Sequence, residues 1–505
     1  MHQAPGLPAL QVIVLVLFLA PQLPAVKAEP AKVFRDHMVL QRGKPVAVFG
    51  TAASGAEVIV RFAGQTRTTI AADDRWKLHL DAMAANATGQ DLVIEIASAN
   101  GDTSTFTATN VLVGDVFFAG GQSNMANPVR NILNKQKLSL TNNKLIRFYK
   151  YPTLKSYNET PKSWDDSWTI CGDNATQGIS ASAYFFAINL QPEIDVPLGV
   201  VISASGATPL ESWMSSETLN SDPSFVPVLE RKHDQQIKDS KQPTINYDQM
   251  IKPLLPCTVT GFIWYQGEGN TQGQPHVGAK EYRTLFPALI EQWRRDFEAP
   301  DAPFYFVQLA SFGGYKEGDK TFGMGTSWPE LREAQYLTLG LEHTGMVCCL
   351  DIGEENDIHP GTKQQVGERL ALLARHGLYQ HDVVPMGPIY TGCDIDSNRI
   401  TLHFAYTGDG LAVRDGGELV GFEIAGADKQ YVPASAKIVG DTVVVTGTAN
   451  PKYVRYAWKN WPEYKGTIAN LINTAGLPAS SFESATPVTL PSLSRQAVQP
   501  ASNRR

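Results

Sequence analysis

Short, unbroken apolar runs recur through the middle of the chain, at residues 116–119, 198–202, 261–265, 304–309 and 346–350. Each is too short for a helix, and none alternates in polarity. Strands buried on both faces read this way, because a parallel sheet is covered by helices on both sides and has no solvent face. The intervening stretches supply those helices. Tyr282, Leu285, Phe286, Leu289, Ile290, Trp293 and Phe297 recur at three- and four-residue steps, which places them on one helix face. A second helix is predicted after Thr362, with Thr362 and Gln365 in capping-box spacing and Val366, Leu370 and Leu373 on its apolar side. The pattern predicts an α/β domain with a doubly wound parallel sheet over about residues 113–380. Open sheets of this kind bind ligands beyond the carboxyl ends of their strands. Here those ends deliver Gln122-Ser123-Asn124, Ser203 to Thr208, Gln266-Gly-Glu268, Gln308 and Asp351.

The rhythm differs on either side. Residues 29–112 carry short alternating runs such as Val46-Ala-Val-Phe49 and Leu92-Val-Ile-Glu-Ile96, broken by Gly, Asp and Asn, and predict a small β domain. Residues 381–505 read as a second β region, with Ile400-Thr-Leu-His-Phe404 and Thr442-Val-Val-Val-Thr446 as strands and a loosely ordered Ser-, Pro- and Arg-rich tail beyond Pro487. Residues 1–28 read as a signal peptide: an apolar run from Val12 to Ala20, then Pro21, Pro24 and the small residues of Val26-Lys27-Ala28. That run is short for a bilayer, and no later segment supplies the roughly 20 apolar residues a spanning helix needs. The expectation is an exported protein with no stable membrane insertion after signal removal. At 505 residues the chain exceeds what one core organises, so several domains are expected. A net charge of -7 without runs of Lys or Arg gives no footprint for nucleic acid and favours a neutral, sugar-like or hydrophobic partner. The cysteines show no metal-ligand spacing, and Cys348 and Cys349 lie within an apolar run, as core residues do.

Ser123 follows a buried strand and the pair Gly120-Gly121, on a tight turn into the next helix. A serine there is either a helix cap or a nucleophile whose developing anion meets backbone N–H groups. The segment is not Gly-x-Ser-x-Gly, because Met125 fills the last place. A base is available in His359, at the end of the last strand on the same sheet edge, with Asp357 two residues earlier to hold the imidazole tautomer. Candidate oxyanion donors are the Ser123 and Gly206 amides and a side-chain amide from Gln266 or Asn270. Glu268 either orients His359 or holds its own loop. Trp264 and Tyr265 either line a sugar-sized cleft or pack in the core. Gln122 and Asn124, with Trp264 and Asn270, are the candidate substrate contacts.

At these residues the sequence resembles the sialate O-acetylesterase family of the SGNH hydrolase superfamily. Gly121-Gln-Ser-Asn-Met125 is similar to the first superfamily block, Gly206 to the second, Trp264-Tyr-Gln-Gly-Glu268 to the third and Asp357-Ile-His-Pro360 to the last. Outside the α/β domain, His37-Met-Val-Leu-Gln-Arg42 and Val454-Arg-Tyr-Ala-Trp458 also look like this family. The resemblance implies a flavodoxin-like three-layer sandwich flanked by the two β regions. It also implies no cofactor or metal, and hydrolysis of acetyl esters on sugars through an acyl-enzyme. O-acetylated sialic acid is the expected substrate. An acetylated polysaccharide such as xylan, or sugar binding without catalysis, are the alternatives. In the third block Asn270 follows Gly267-Glu-Gly, which favours Gln266 as the side-chain donor. Asp357 and His359 are separated by one residue where the superfamily usually has two, so the supporting acid is open among Asp357, Glu268 and Asp351.

Overall fold

The computed structural model describes residues 27–98, 101–136, 138–153, 167–172, 174–231, 238–271, 277–314 and 327–491. The expected signal peptide lies almost wholly outside the described residues.

The central sheet consists of β1 (Thr103–Gly121), β2 (Asn143–Lys150), β3 (Leu198–Ala204), β4 (Gly261–Tyr265), β5 (Phe304–Val307) and β6 (Thr344–Val347). Their order is β2-β3-β1-β4-β5-β6, with every neighbouring pair parallel. Thr169–Cys171 adds an antiparallel edge beside β2, so the sheet is mixed. The chain passes from β1 to β3 on one side and then crosses to β4 on the other. That reversal opens a crevice above the carboxyl end of β1.

Helices follow the strands: α1 (Ser123–Ala126), α2 (Val129–Lys135), α3 (Ala181–Ile194), α4 (Ala279–Asp296), α5 (Ser327–Leu337) and α6 (Lys363–Gly377). Adjacent residues of β1 show how they are distributed. The Phe117 ring meets Phe186 of α3 at 4.9 Å, whereas Phe118 meets Trp293 of α4 at 5.5 Å. Successive side chains of a strand point to opposite faces, so the sheet carries helices on both. The predicted apolar stripe of α4 is buried throughout. Its Trp293 packs on Trp264 at 5.2 Å and on Phe304 at 6.0 Å, pairs worth about 0.5–1.5 kcal/mol each beyond their buried area.

Some local expectations are corrected. β2 escapes sequence recognition because Arg147 interrupts its apolar run. The arginine is nonetheless buried, its guanidinium donating to His37 O at 2.9 Å and Asn110 O at 2.6 Å. The predicted capping box at Thr362 does not form. The Thr362 hydroxyl donates instead to Ile352 O at 2.5 Å, tying the helix start to the loop before it. Cys348, Cys349 and Leu350, read as strand, follow the end of β6, and both cysteines are free and buried.

The N-terminal strands are continuous with the central sheet. The first part of β1 pairs antiparallel with Asn86–Ala97, and Val39–Gln41 pairs parallel with residues 112–114 of the same strand. The expected division at residue 112 therefore falls inside a strand. Of the C-terminal strands, which include Arg399–Ala405 and Tyr453–Tyr456, Phe482–Glu483 lies against α5. The buried Arg332 of α5 donates to Lys459 O and Asn460 O, each at 2.9 Å, and Gln308 donates to Ser480 Oγ at 2.8 Å. Val488, at the start of the stretch expected to be loose, is buried and donates its amide to Tyr336 OH at 2.9 Å. Residues 492–505 lie outside the described residues.

Candidate active site

β1 ends in Gly120-Gly121, and neither position admits a side chain. A Cβ on Gly120 would stand 2.6 Å from the Trp293 ring; on Gly121, at φ +137°, it would stand 2.2 Å from Tyr265 O. The chain therefore turns hard against β4, with Gln122 N donating to Tyr265 O at 3.0 Å, and Ser123 opens α1 half-buried. His359, on the loop between β6 and α6, brings Nε2 to 2.8 Å from Ser123 Oγ. With its proton on Nδ1, the imidazole accepts the serine hydroxyl. Burial lowers the His359 pKa below its ordinary value; Asp357 opposes that shift, while Lys363 and Lys135 add to it. A depressed pKa keeps the ring neutral and able to take a proton near pH 7.

The three candidate acids separate clearly. Asp357 Oδ1 lies 4.0 Å from His359 Nδ1, beyond a hydrogen bond, and accepts instead from the His359 backbone amide at 2.8 Å. Its Oδ2 receives Lys135 Nζ at 2.7 Å. Burial raises the Asp357 carboxyl, but Lys135 and the His359 amide outweigh it and hold the pKa below the usual range. Asp351 is removed from candidacy: Arg369 grips both its oxygens at 2.7 Å. Glu268 is buried and does not contact the imidazole. Its Oε1 accepts from Asn124 Nδ2 at 2.5 Å, and the same nitrogen donates to Ile358 O at 3.0 Å. Of the two readings of Glu268, the geometry has the one in which it holds a loop. Burial pushes its carboxyl above the usual carboxylate range, against Asn124 and Lys363.

The donor set is also sorted. A Cβ built on Gly206 would lie 3.6 Å from Ser123 Cβ, so this backbone runs in contact with the serine. Among the described residues neither the Ser123 nor the Gly206 amide donates to a protein acceptor. Gln266 and Asn270 are corrections. Gln266 Nε2 donates to Thr208 O at 3.2 Å and Asn270 Oδ1 at 2.6 Å, and Asn270 Nδ2 donates to Glu211 Oε2 at 3.0 Å and Val277 O at 2.9 Å. Both amides are fully buried and their hydrogens already have acceptors. Trp264 is a further correction, with 0% exposure inside the aromatic core. Gln122 and Asn124 are buried beneath Ser123; Gln122 Oε1 accepts from Gly269 N at 3.0 Å. They support the turn and do not line the opening.

Lys135 and Lys363 were not singled out by sequence. Each reads there as an ordinary solvated lysine at a helix end, yet both contact the histidine loop. Among the described residues, no group of three His, Cys, Asp or Glu side chains could hold a metal ion, and no helix is long and apolar enough to cross a membrane.

A hydroxyl in contact with a neutral imidazole, at the switch point of an α/β sheet and beside amides without acceptors, is the equipment of a carboxylic ester hydrolase. The family model described as "Carbohydrate esterase, sialic acid-specific acetylesterase" matches residues 113–375, just over half the chain, and the chain belongs to that family. It is 28% identical over 509 residues to the sialate O-acetylesterase of Pongo abelii, covering 92% of this chain and 93% of that one. The Homo sapiens sialate O-acetylesterase is 27% identical over 506 residues, with the same coverage. A solved structure of a carbohydrate acetylesterase from Xanthomonas citri superposes with a TM-score of 0.75 at 36% identity, over 90% of this chain and 99% of that one.

Proposed function

We propose that this protein is an exported serine esterase that hydrolyses O-acetyl esters on carbohydrates, O-acetylated sialic acid foremost, through an acetyl-Ser123 intermediate. The observation that carries the reading is the 2.8 Å contact between Ser123 Oγ and His359 Nε2 at the sheet's switch point. His359 takes the hydroxyl proton as Ser123 attacks the acetyl carbonyl, and the Ser123 and Gly206 amides receive the oxyanion. The protonated imidazole then gives its proton to the departing sugar alkoxide, and a second round with water releases acetate. Asp357 contributes a charge near the imidazolium. Apart from β2, which adds a further parallel strand outside β3, the order β3-β1-β4-β5-β6 matches the flavodoxin-like 2-1-3-4-5 arrangement, which supports an SGNH-type sandwich. The apolar run before Val26-Lys27-Ala28 supports export.

The family description and the sialate O-acetylesterase relatives support sialic acid as the substrate. The higher identity to the Xanthomonas citri carbohydrate acetylesterase supports a second reading, in which the acetyl group sits on another sugar. The test is acetate release from O-acetylated sialic acid, acetylated xylan and a chromogenic acetate ester by the native protein and by Ser123→Ala. Complete loss in a folded variant is expected, a fall of roughly 10⁴-fold or more in kcat. Retained activity would sink the nucleophile assignment, and faster release from xylan would displace sialic acid.

A further inference from the structure

Three consecutive peptide carbonyls around His359 each accept a side-chain N–H from a different place in the fold. Ile358 O receives Asn124 Nδ2 at 3.0 Å, His359 O receives Lys135 Nζ at 3.0 Å, and Pro360 O receives Lys363 Nζ at 2.7 Å. Asn124 is the residue after the nucleophile, Lys135 closes α2, and Lys363 opens α6. The loop is further braced by its own carboxylates, with His359 N on Asp357 Oδ1 at 2.8 Å and Gly361 N on Glu354 Oε1 at 2.5 Å. By contrast, the ring nitrogen facing away from Ser123 has its nearest carboxylate at 4.0 Å. The peptide that carries the imidazole is thus fixed far more completely than the imidazole itself.

We propose that this carbonyl clamp, with Lys363 as its buried anchor and Lys135 as its outer arm, positions His359 for proton transfer. Both lysines are then positioning residues for the esterase reaction. The proposal rests on the assignment of Ser123 and His359 above.

Two features make Lys363 more than packing. It is fully buried, where an ammonium is expensive to desolvate and a methionine would fill similar space. The charge is retained among the Tyr265 ring at 5.6 Å, Glu268 after β4, Cys349 after β6, Glu354 on the histidine loop and Lys135. Burial pushes the lysine down to about 8, with Cys349, Glu268 and Glu354 pulling it up and Lys135 adding to the fall. The groups facing His359 are Asp357, Lys363 and Lys135, and both lysines act to keep the imidazole neutral. The clamp therefore does two things at once. It aims Nε2 at Ser123 through the backbone, and it supplies positive charge that disfavours imidazolium in the resting enzyme.

Lys363→Met, Lys363→Arg and Lys135→Met in the full chain test this by steady-state kinetics across pH and by following the His359 imidazole titration by NMR. In Lys363→Met, kcat is expected to fall about tenfold to a hundredfold with KM changed less than about twofold. The acid limb of kcat/KM and the imidazole titration should both move up in pH, because a nearby positive charge is gone. Lys363→Arg should restore the limb and part of kcat. Lys135 is partly exposed, so Lys135→Met folds regardless and should show the same signs at smaller size. Unchanged kcat and an unmoved titration in Lys135→Met, or a rise in its kcat from Asp357 released toward Nδ1, would overturn the clamp. The NMR titration needs no substrate, so that failure is distinct from failure of the esterase reading, which is acetate release surviving Ser123→Ala.

Discussion

The two ends of the parallel half of β1 carry polar residues with opposite fates. At its start Asp115 is almost fully buried, and its carboxylate accepts from Arg42 Nε at 3.0 Å and Nη2 at 2.9 Å, Gln41 Nε2 at 3.2 Å and Tyr379 OH at 2.8 Å. Just past its end Ser123 is only half-buried, touches one imidazole and sits beside amides without acceptors. The same strand places both. At one end every lone pair is saturated and water excluded, which fixes the N-terminal strands to the sheet; at the other the polar groups are left short of partners, which a substrate can supply. A residue's hydrogen-bond saturation, more than its chemical type, separates framework from chemistry here.

Substitutions at the two ends should therefore split stability from turnover. Arg42→Ala leaves Asp115 charged and buried with only neutral donors, and should destabilise the fold by about 3 kcal/mol in urea unfolding. The kcat of the folded protein should stay within about twofold of native. A large fall in kcat at full stability would erase the contrast between the ends. Gln266→Leu sharpens it within the catalytic end. The Gln266 amide is saturated, so its loss should appear as about 2 kcal/mol of stability from stranded Thr208 and Asn270 acceptors. An oxyanion donor would instead lose about 10²–10³ in kcat, and that result would return Gln266 to the site.

The sequence carries the framework of this division better than its details. The strands at β1, β3, β4 and β5 and the face of α4 are legible because burial on both sides leaves unbroken apolar runs and helical steps leave a stripe. β2 is hidden by Arg147, whose cost of burial is met by carbonyls distant in sequence. The meeting of Ser123, His359 and Gly206 is legible because strand ends converge on one edge whatever the loops between them. Gln266, Asn270 and Asp351 mislead because residue type signals hydrogen-bonding capacity and not whether that capacity is already spent; Trp264 misleads because an aromatic at a strand end reads the same whether it lines a cleft or lies in the core. Lys135 and Lys363 leave no sequence signal, since only the folded loop shows their ammonium groups meeting successive carbonyls.

Asp357 lies between the two cases, and Asp357→Asn should have the smallest effect. A carboxylate bonded to the imidazole fixes its tautomer, and its amidation costs about 10⁴ in kcat in the serine protease triad. Asp357 stands 4.0 Å from Nδ1 and keeps Oδ1 on the His359 amide, a role that the asparagine oxygen can continue. What amidation removes is a negative charge that favours imidazolium both at rest and in the transition state. The expected fall in kcat is about tenfold, or about 1.4 kcal/mol of transition-state stabilisation. Because that charge raises the His359 pKa, its loss should move the acid limb of kcat/KM to lower pH. Loss of a lysine moves the limb the other way. A full triad loss in Asp357→Asn, with the limb unmoved, would mean that the imidazole turns onto Asp357 during turnover and that the serine end of β1 is more saturated in the working enzyme than at rest.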